Sequence, residues 1–105
     1  MCGLIERDFY YIHKAIDAFP EIEKAVLFGS RALGNYKRGS DVDIALLGKS
    51  VSPHTVAMIS DYLNEEYPLP YMFDIVHYEA LSNAQLKEHI DKYGKILNYS
   101  DQITN

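Results

Sequence analysis

The chain has 105 residues and a mass of 12.0 kDa, a size that supports one domain, expected over 1–105, with little room for a second lobe. Its composition, 48% hydrophobic and 24% charged, is that of a soluble globular protein, and with no membrane-length apolar run and no signal-peptide pattern the expected location is cytoplasmic. A formal net charge of −5 argues against affinity for the phosphate backbone of duplex nucleic acid. In chain order, Ile5, Phe9, Ile12, Ile16 and Phe19 recur at alternating steps of four and three, which predicts one buried helical stripe ended by Pro20. Ala25 to Phe28 reads as a buried strand, followed at once by the Gly29-Ser30 turn and a helix start. Gly34, Asn35 and Gly39 then make a loop, and Asp41 to Leu47 is a second strand closed by Gly48. Ser52 and Pro53 form an N-cap and first helical position; Val56, Ile59 and Leu63 continue a face that stops before Pro68. Tyr71 to His77 is a third strand. Ser82 with Gln85 fits a capping box for a last helix through Leu86, Ile90 and Tyr93, ended by Gly94, with Ile96 and Leu97 as a short edge strand. The order predicts an α/β (α+β) fold with a small central sheet flanked by helices.

Two features of this pattern conflict with ordinary core building. In the second strand, alternation sends Asp41 and Asp43 to one face and Val42 and Ile44 to the other. At an effective dielectric near 20, two charges ~6–7 Å apart repel by roughly 2–3 kcal/mol. A third carboxylate, Asp74, interrupts the third strand on the face shared with Met72 and Val76. If the two strands are neighbours, ~4.8 Å apart, the three carboxylates form a compact triangle. Such a triangle suits two Mg²⁺ ions, the arrangement of phosphoryl and nucleotidyl transfer sites. No soft ligand favours another metal: His13, His54, His77 and His89 show no metal-ligand spacing with Cys2 or one another.

Gly29 and Ser30 complete the site from the other side, where backbone N–H groups at a helix start can cradle nucleotide phosphates and the Ser30 hydroxyl can add a bond. Arg31 is placed to clamp a phosphate oxygen or leaving pyrophosphate, and Lys37 and Arg38 supply further positive charge. Taken singly each feature has a bland reading: Gly-Ser is an ordinary turn, Asp-x-Asp marks many loops, and Asp74 could pair with a base. Their conjunction is what carries the assignment, because strand carboxylates are costly unless paired or metal-bound.

Gly29-Ser30, ten intervening residues, Asp41-x-Asp43 and Asp74 on a later strand resemble the polymerase beta-like nucleotidyltransferase superfamily and, more narrowly, its minimal nucleotidyltransferases (MNT). The resemblance implies that Gly29 and Ser30 bind the triphosphate of ATP. It also implies that Asp41, Asp43 and Asp74 hold two Mg²⁺ ions, with Asp74 helping to activate the acceptor hydroxyl. Ser40 falls where the family often has a small polar residue, and joins Arg31 among the nucleotide-binding candidates. One departure is Leu33, where many members have a second arginine, so charge compensation falls to Arg31, Lys37 or Arg38. The family also implies a helical HEPN-domain partner, encoded beside the antitoxin in a two-gene module. The expected activity is Mg²⁺-dependent transfer of a nucleoside monophosphate, AMP from ATP, to a hydroxyl acceptor on that partner; the alternative is an antitoxin that masks a HEPN toxin with little or no catalysis. No membrane partner is expected, and self-association stays open.

Overall fold

The computed structural model describes residues 2–97. Helix α1 spans Glu6–Asp17, with Ile12, Ala15 and Ile16 buried and Asp8, at its third position, reaching back to the Ile5 N–H at 2.9 Å. Strand β1 (Lys24–Phe28) leads through Gly29 into the four-residue helix α2 (Ser30–Leu33). Strand β2 (Val42–Leu47) is followed by helix α3 (Pro53–Asp61), capped by the Ser52 hydroxyl, which accepts from the Thr55 N–H at 3.2 Å. Beyond a π-helical turn (Tyr62–Glu66) come β3 (Phe73–His77), a 3₁₀ turn (Tyr78–Ala80), α4 (Ala84–Tyr93) and β4 (Lys95–Ile96).

The four strands form one mixed sheet in the order β3-β2-β1-β4. β1 runs antiparallel to both β2 and β4, whereas β2 and β3 are parallel and need the crossover that α3 supplies. Alternation along β2 divides two apolar layers. Val42, Ile44 and Leu46 pack with Ile12 and Ile16 of α1 and Ile59 of α3, each such burial being worth ~1.5–3 kcal/mol. Ala45 packs instead with Val26, Phe28 and Ile90 of α4, and Leu47 and Val76 join that layer. Asp43 shares the parity of Ala45 and Leu47, and Asp74 that of Val76, so both carboxylates belong to the α4 side of the sheet.

Several boundaries differ from the sequence reading. β2 starts at Val42, leaving Asp41 at the end of the preceding loop. β3 starts at Phe73, because Tyr71 turns its phenol to Asp8 at 2.8 Å instead of extending the ladder. The cap of α4 is Asn83, which accepts from the Leu86 N–H at 3.1 Å; the 3₁₀ turn moves the helix start one residue past the Ser82 signal. Two residues of the predicted helical faces, Ile5 before α1 and Tyr93 at the end of α4, are exposed. Gly94 does end α4, and by close approach: a Cβ there would collide with Val26 and the Ile90 carbonyl, so only glycine lets β4 tuck against β1.

Candidate active site

The sheet register builds the centre of the site. Asp43 and Asp74 are directly opposite on the parallel strands β2 and β3, at the ends where both strands begin. Phe28 is opposite Asp43 on the other side, so β1 delivers the next residue, Gly29, against the same carboxylate. Gly29 has φ 78° and ψ −157°, a conformation essentially reserved for glycine. A Cβ at this position would strike Asp43 Oδ2. Both demands, backbone and space, explain the residue. Asp43 is half-buried, while Asp41 and Asp74 are exposed.

Electrostatics single out Asp43. Burial pushes its carboxyl above the usual range, and the charges of Asp74 and then Asp41 push it further; His89 and Arg31 oppose this more weakly. A carboxylate crowded by two others is a site that gains from a cation, and its all-oxygen donors match a hard one such as Mg²⁺. Among the described residues no three His, Cys, Asp or Glu side chains close on a common point as they stand. The fit therefore rests on the registered Asp43–Asp74 pair, with Asp41 on the adjoining loop.

The Gly-Ser side holds two findings. Ser30 is half-buried at the start of α2, beside Gly29, and the Gly29 N–H donates to His89 Nε2 at 2.9 Å. His89 is a site residue the sequence reading missed; it lies on α4 against Phe28 and Tyr93, far away in the chain, with no motif to flag it. Arg31 is placed differently from a free phosphate clamp. Its side chain is 4% exposed, its Nε and Nη2 donate to the Ser40 carbonyl at 3.1 and 2.8 Å, and Nη1 donates to the Cys2 carbonyl at 3.0 Å. The rings of Tyr36 and Tyr71 lie 5.0 Å from its guanidinium carbon. Ser40 is likewise engaged, its hydroxyl accepting from the Lys37 N–H at 2.9 Å. Arg31 thus pins the loop that presents Asp41, and the exposed cations of that loop are Lys37 and Arg38.

The geometry is thus a mixed sheet with a Gly-Ser turn abutting one of two registered strand carboxylates. The model of the family "Polymerase beta, Nucleotidyltransferase" matches residues 11–103, and the chain belongs to that family. Among solved structures it is similar to a toxin–antitoxin complex with AMP-PNP, at 25% identity and TM-score 0.69 over 90% of this chain and 73% of that one. It is also similar to the tri-AMPylated Shewanella oneidensis HEPN toxin in complex with MNT antitoxin, at 22% identity and TM-score 0.67 over 94% and 76% of the two chains. A nucleotidyltransferase-like protein from Sulfolobus solfataricus shares the fold at 19% identity, with a TM-score of 0.50 over 86% and 78%. No curated protein matches the chain. Among the described residues no helix is long and apolar enough to cross a membrane.

Proposed function

We propose that this protein transfers a nucleoside monophosphate, AMP from ATP, to a hydroxyl of a partner protein of the HEPN class, as the antitoxin of a two-gene module. The observation that carries the reading is the direct register of Asp43 with Asp74 beside a Gly29 that tolerates no side chain. The AMP-PNP in one similar complex and the AMPylated toxin in another support the choice of nucleotide and acceptor.

In this reading Asp41, Asp43 and Asp74 hold Mg²⁺, which when bound supplies charge neutralisation for the phosphates and activation of the acceptor oxygen. The backbone at Gly29 and the Ser30 hydroxyl hold the triphosphate, with His89 leaving the Gly29 N–H as the phosphate arrives. Lys37 and Arg38 face the departing pyrophosphate, while Arg31 and Ser40 act by holding their loop. The acceptor oxygen bonds to the α-phosphorus as the bond to the bridging oxygen of the β-phosphate breaks. Asp74 receives the hydroxyl proton, and pyrophosphate leaves with the electron pair.

Intact mass spectrometry of the co-purified partner after incubation with ATP and Mg²⁺ tests the reading. A gain of one or more AMP units that disappears in Asp74→Asn, with the complex still intact, is the expected result. A partner whose mass never changes, yet is silenced in the complex, would replace catalysis with masking.

A further inference from the structure

β3 is an edge strand, and edge strands fray unless something pairs their free side. Yet this one carries Asp74. The side chain that closes the gap is Asn64, in the π-helical turn, where no helix or strand pattern marks it in the sequence. Its Oδ1 accepts the Phe73 N–H at 2.7 Å, and its Nδ2 donates to the Phe73 carbonyl at 3.0 Å and to Ser60 Oγ at 3.1 Å. One planar amide therefore makes the pair of bonds that a further strand would make at this residue. Only an amide side chain offers a donor and an acceptor in that arrangement.

The consequence reaches Asp74 through the peptide that joins it to Phe73. Val42 is in register with Phe73, and its N–H donates to the Met72 carbonyl at 2.9 Å. Backbone groups alternate sides along a strand, so those of Asp74 face β2 while those of Phe73 face outward to Asn64. The Phe73–Asp74 peptide is thus held on both flanks, and with it the direction in which the Asp74 carboxylate leaves the sheet. The π-helical turn supplies the geometry. Its closing bond, Tyr67 N–H to the Tyr62 carbonyl at 2.9 Å, accommodates an extra residue, keeping Leu63 fully buried while Asn64 meets the strand edge.

We propose that Asn64 is the positioning residue for Asp74, setting that carboxylate opposite Asp43 by occupying the strand edge at Phe73. The proposal rests on the reading of Asp74 as a site carboxylate. Two measurements on the full chain with its co-purified partner test it, one of which does not depend on activity. In amide exchange, Asn64→Ala should speed exchange at Phe73 at least about tenfold while the amides of α1 and α4 keep wild-type protection. In AMP transfer, the same variant should lower kcat about 10–100-fold, the range for partners that orient a ligand, with the KM for ATP unchanged. Asn64→Gln, which keeps the amide, should recover part of the rate and serves in place of the alanine variant if the latter does not fold. Unchanged kcat or unaltered exchange at Phe73 would each overturn the proposal. A wild type that transfers no AMP defeats the transfer reading instead, and exchange at Phe73 then decides the role of Asn64.

Discussion

Asp8 and Asp43 are both acids removed from water, and they are treated in opposite ways. Asp8 is fully buried, but its Oδ2 accepts from the Ile5 N–H at 2.9 Å and the Tyr71 hydroxyl at 2.8 Å, and the exposed Arg7 stands 3.8 Å from Oδ1. Asp43 is only half-buried, yet its neighbours are Asp74, Asp41 and the bare backbone of Gly29. Partnership, more than depth, separates a carboxylate that holds the fold from one that waits for a ligand. Arg31 makes the same point for cations: deeply buried, it is matched to two backbone carbonyls and two aromatic rings.

The sharpest way to break the contrast is to neutralise Asp43. Asp43→Asn should lower AMP transfer by more than the ~100-fold that loss of an outer-shell partner costs. The same change should leave the metal-free protein as stable as wild type or more stable by about 1 kcal/mol or less, since it removes repulsion rather than a bond. Thermal melts in EDTA beside a transfer assay read both effects; a marked loss of stability would place Asp43 with Asp8 as a framework acid. Asp8→Ala should behave in reverse, costing about 2–3 kcal/mol in denaturant melts by stranding the Ile5 N–H and the Tyr71 hydroxyl, with Mg²⁺-dependent stabilisation of the folded fraction retained. Gly29→Ala should cost about 1–2 kcal/mol for its positive φ alone. It should also weaken ATP binding, because the new Cβ displaces Asp43; calorimetric affinity unchanged in a folded variant would remove Gly29 from the site.

Much of this was legible in the sequence because strand period and turn chemistry are local. The alternation through Asp41-Val42-Asp43-Ile44, the Ser52-Pro53 cap and the carboxylate at Asp74 each report on a few consecutive residues, and the resemblance joined them into one site. The structure sets Asp43 and Asp74 in register, with Gly29 against Asp43. What escaped depends on distance in the chain. His89 meets the Gly29 N–H across sixty residues, Asn64 reaches Phe73 from a π turn that has no sequence signature, and Arg31 is drawn inward by carbonyls at Cys2 and Ser40. An arginine two residues after glycine looks the same in sequence whether it faces a phosphate or a carbonyl.

The smallest effect, and the one that isolates Asp43 from every other acid, is on the pH dependence of stability without divalent cation. Burial and the charges of Asp74 and Asp41 raise its carboxyl above the ordinary value of 3.8. A group whose folded-state pKa is raised keeps its proton longer in the folded state than in the unfolded one, so the folded state binds more protons across the interval between the two values. Stability must therefore fall as pH rises through that interval, from the ordinary value up to the raised one, and be flat on either side. Glu21 works in the opposite sense, because the Thr55 hydroxyl bond lowers its carboxyl, and wild type alone would show only the sum. Subtracting Asp43→Asn removes every contribution but that of Asp43 and the repulsion it feels. The variant's advantage in metal-free denaturant melts should be least near ~pH 4 and grow toward ~pH 7, within the range where carboxylates ionise. Adding Mg²⁺ should shrink that advantage at the upper pH, since the cation offsets the charge that causes it. A difference that stays constant with pH would mean that Asp43 ionises as freely in the fold as outside it, and the contrast with Asp8 would lose its electrostatic basis.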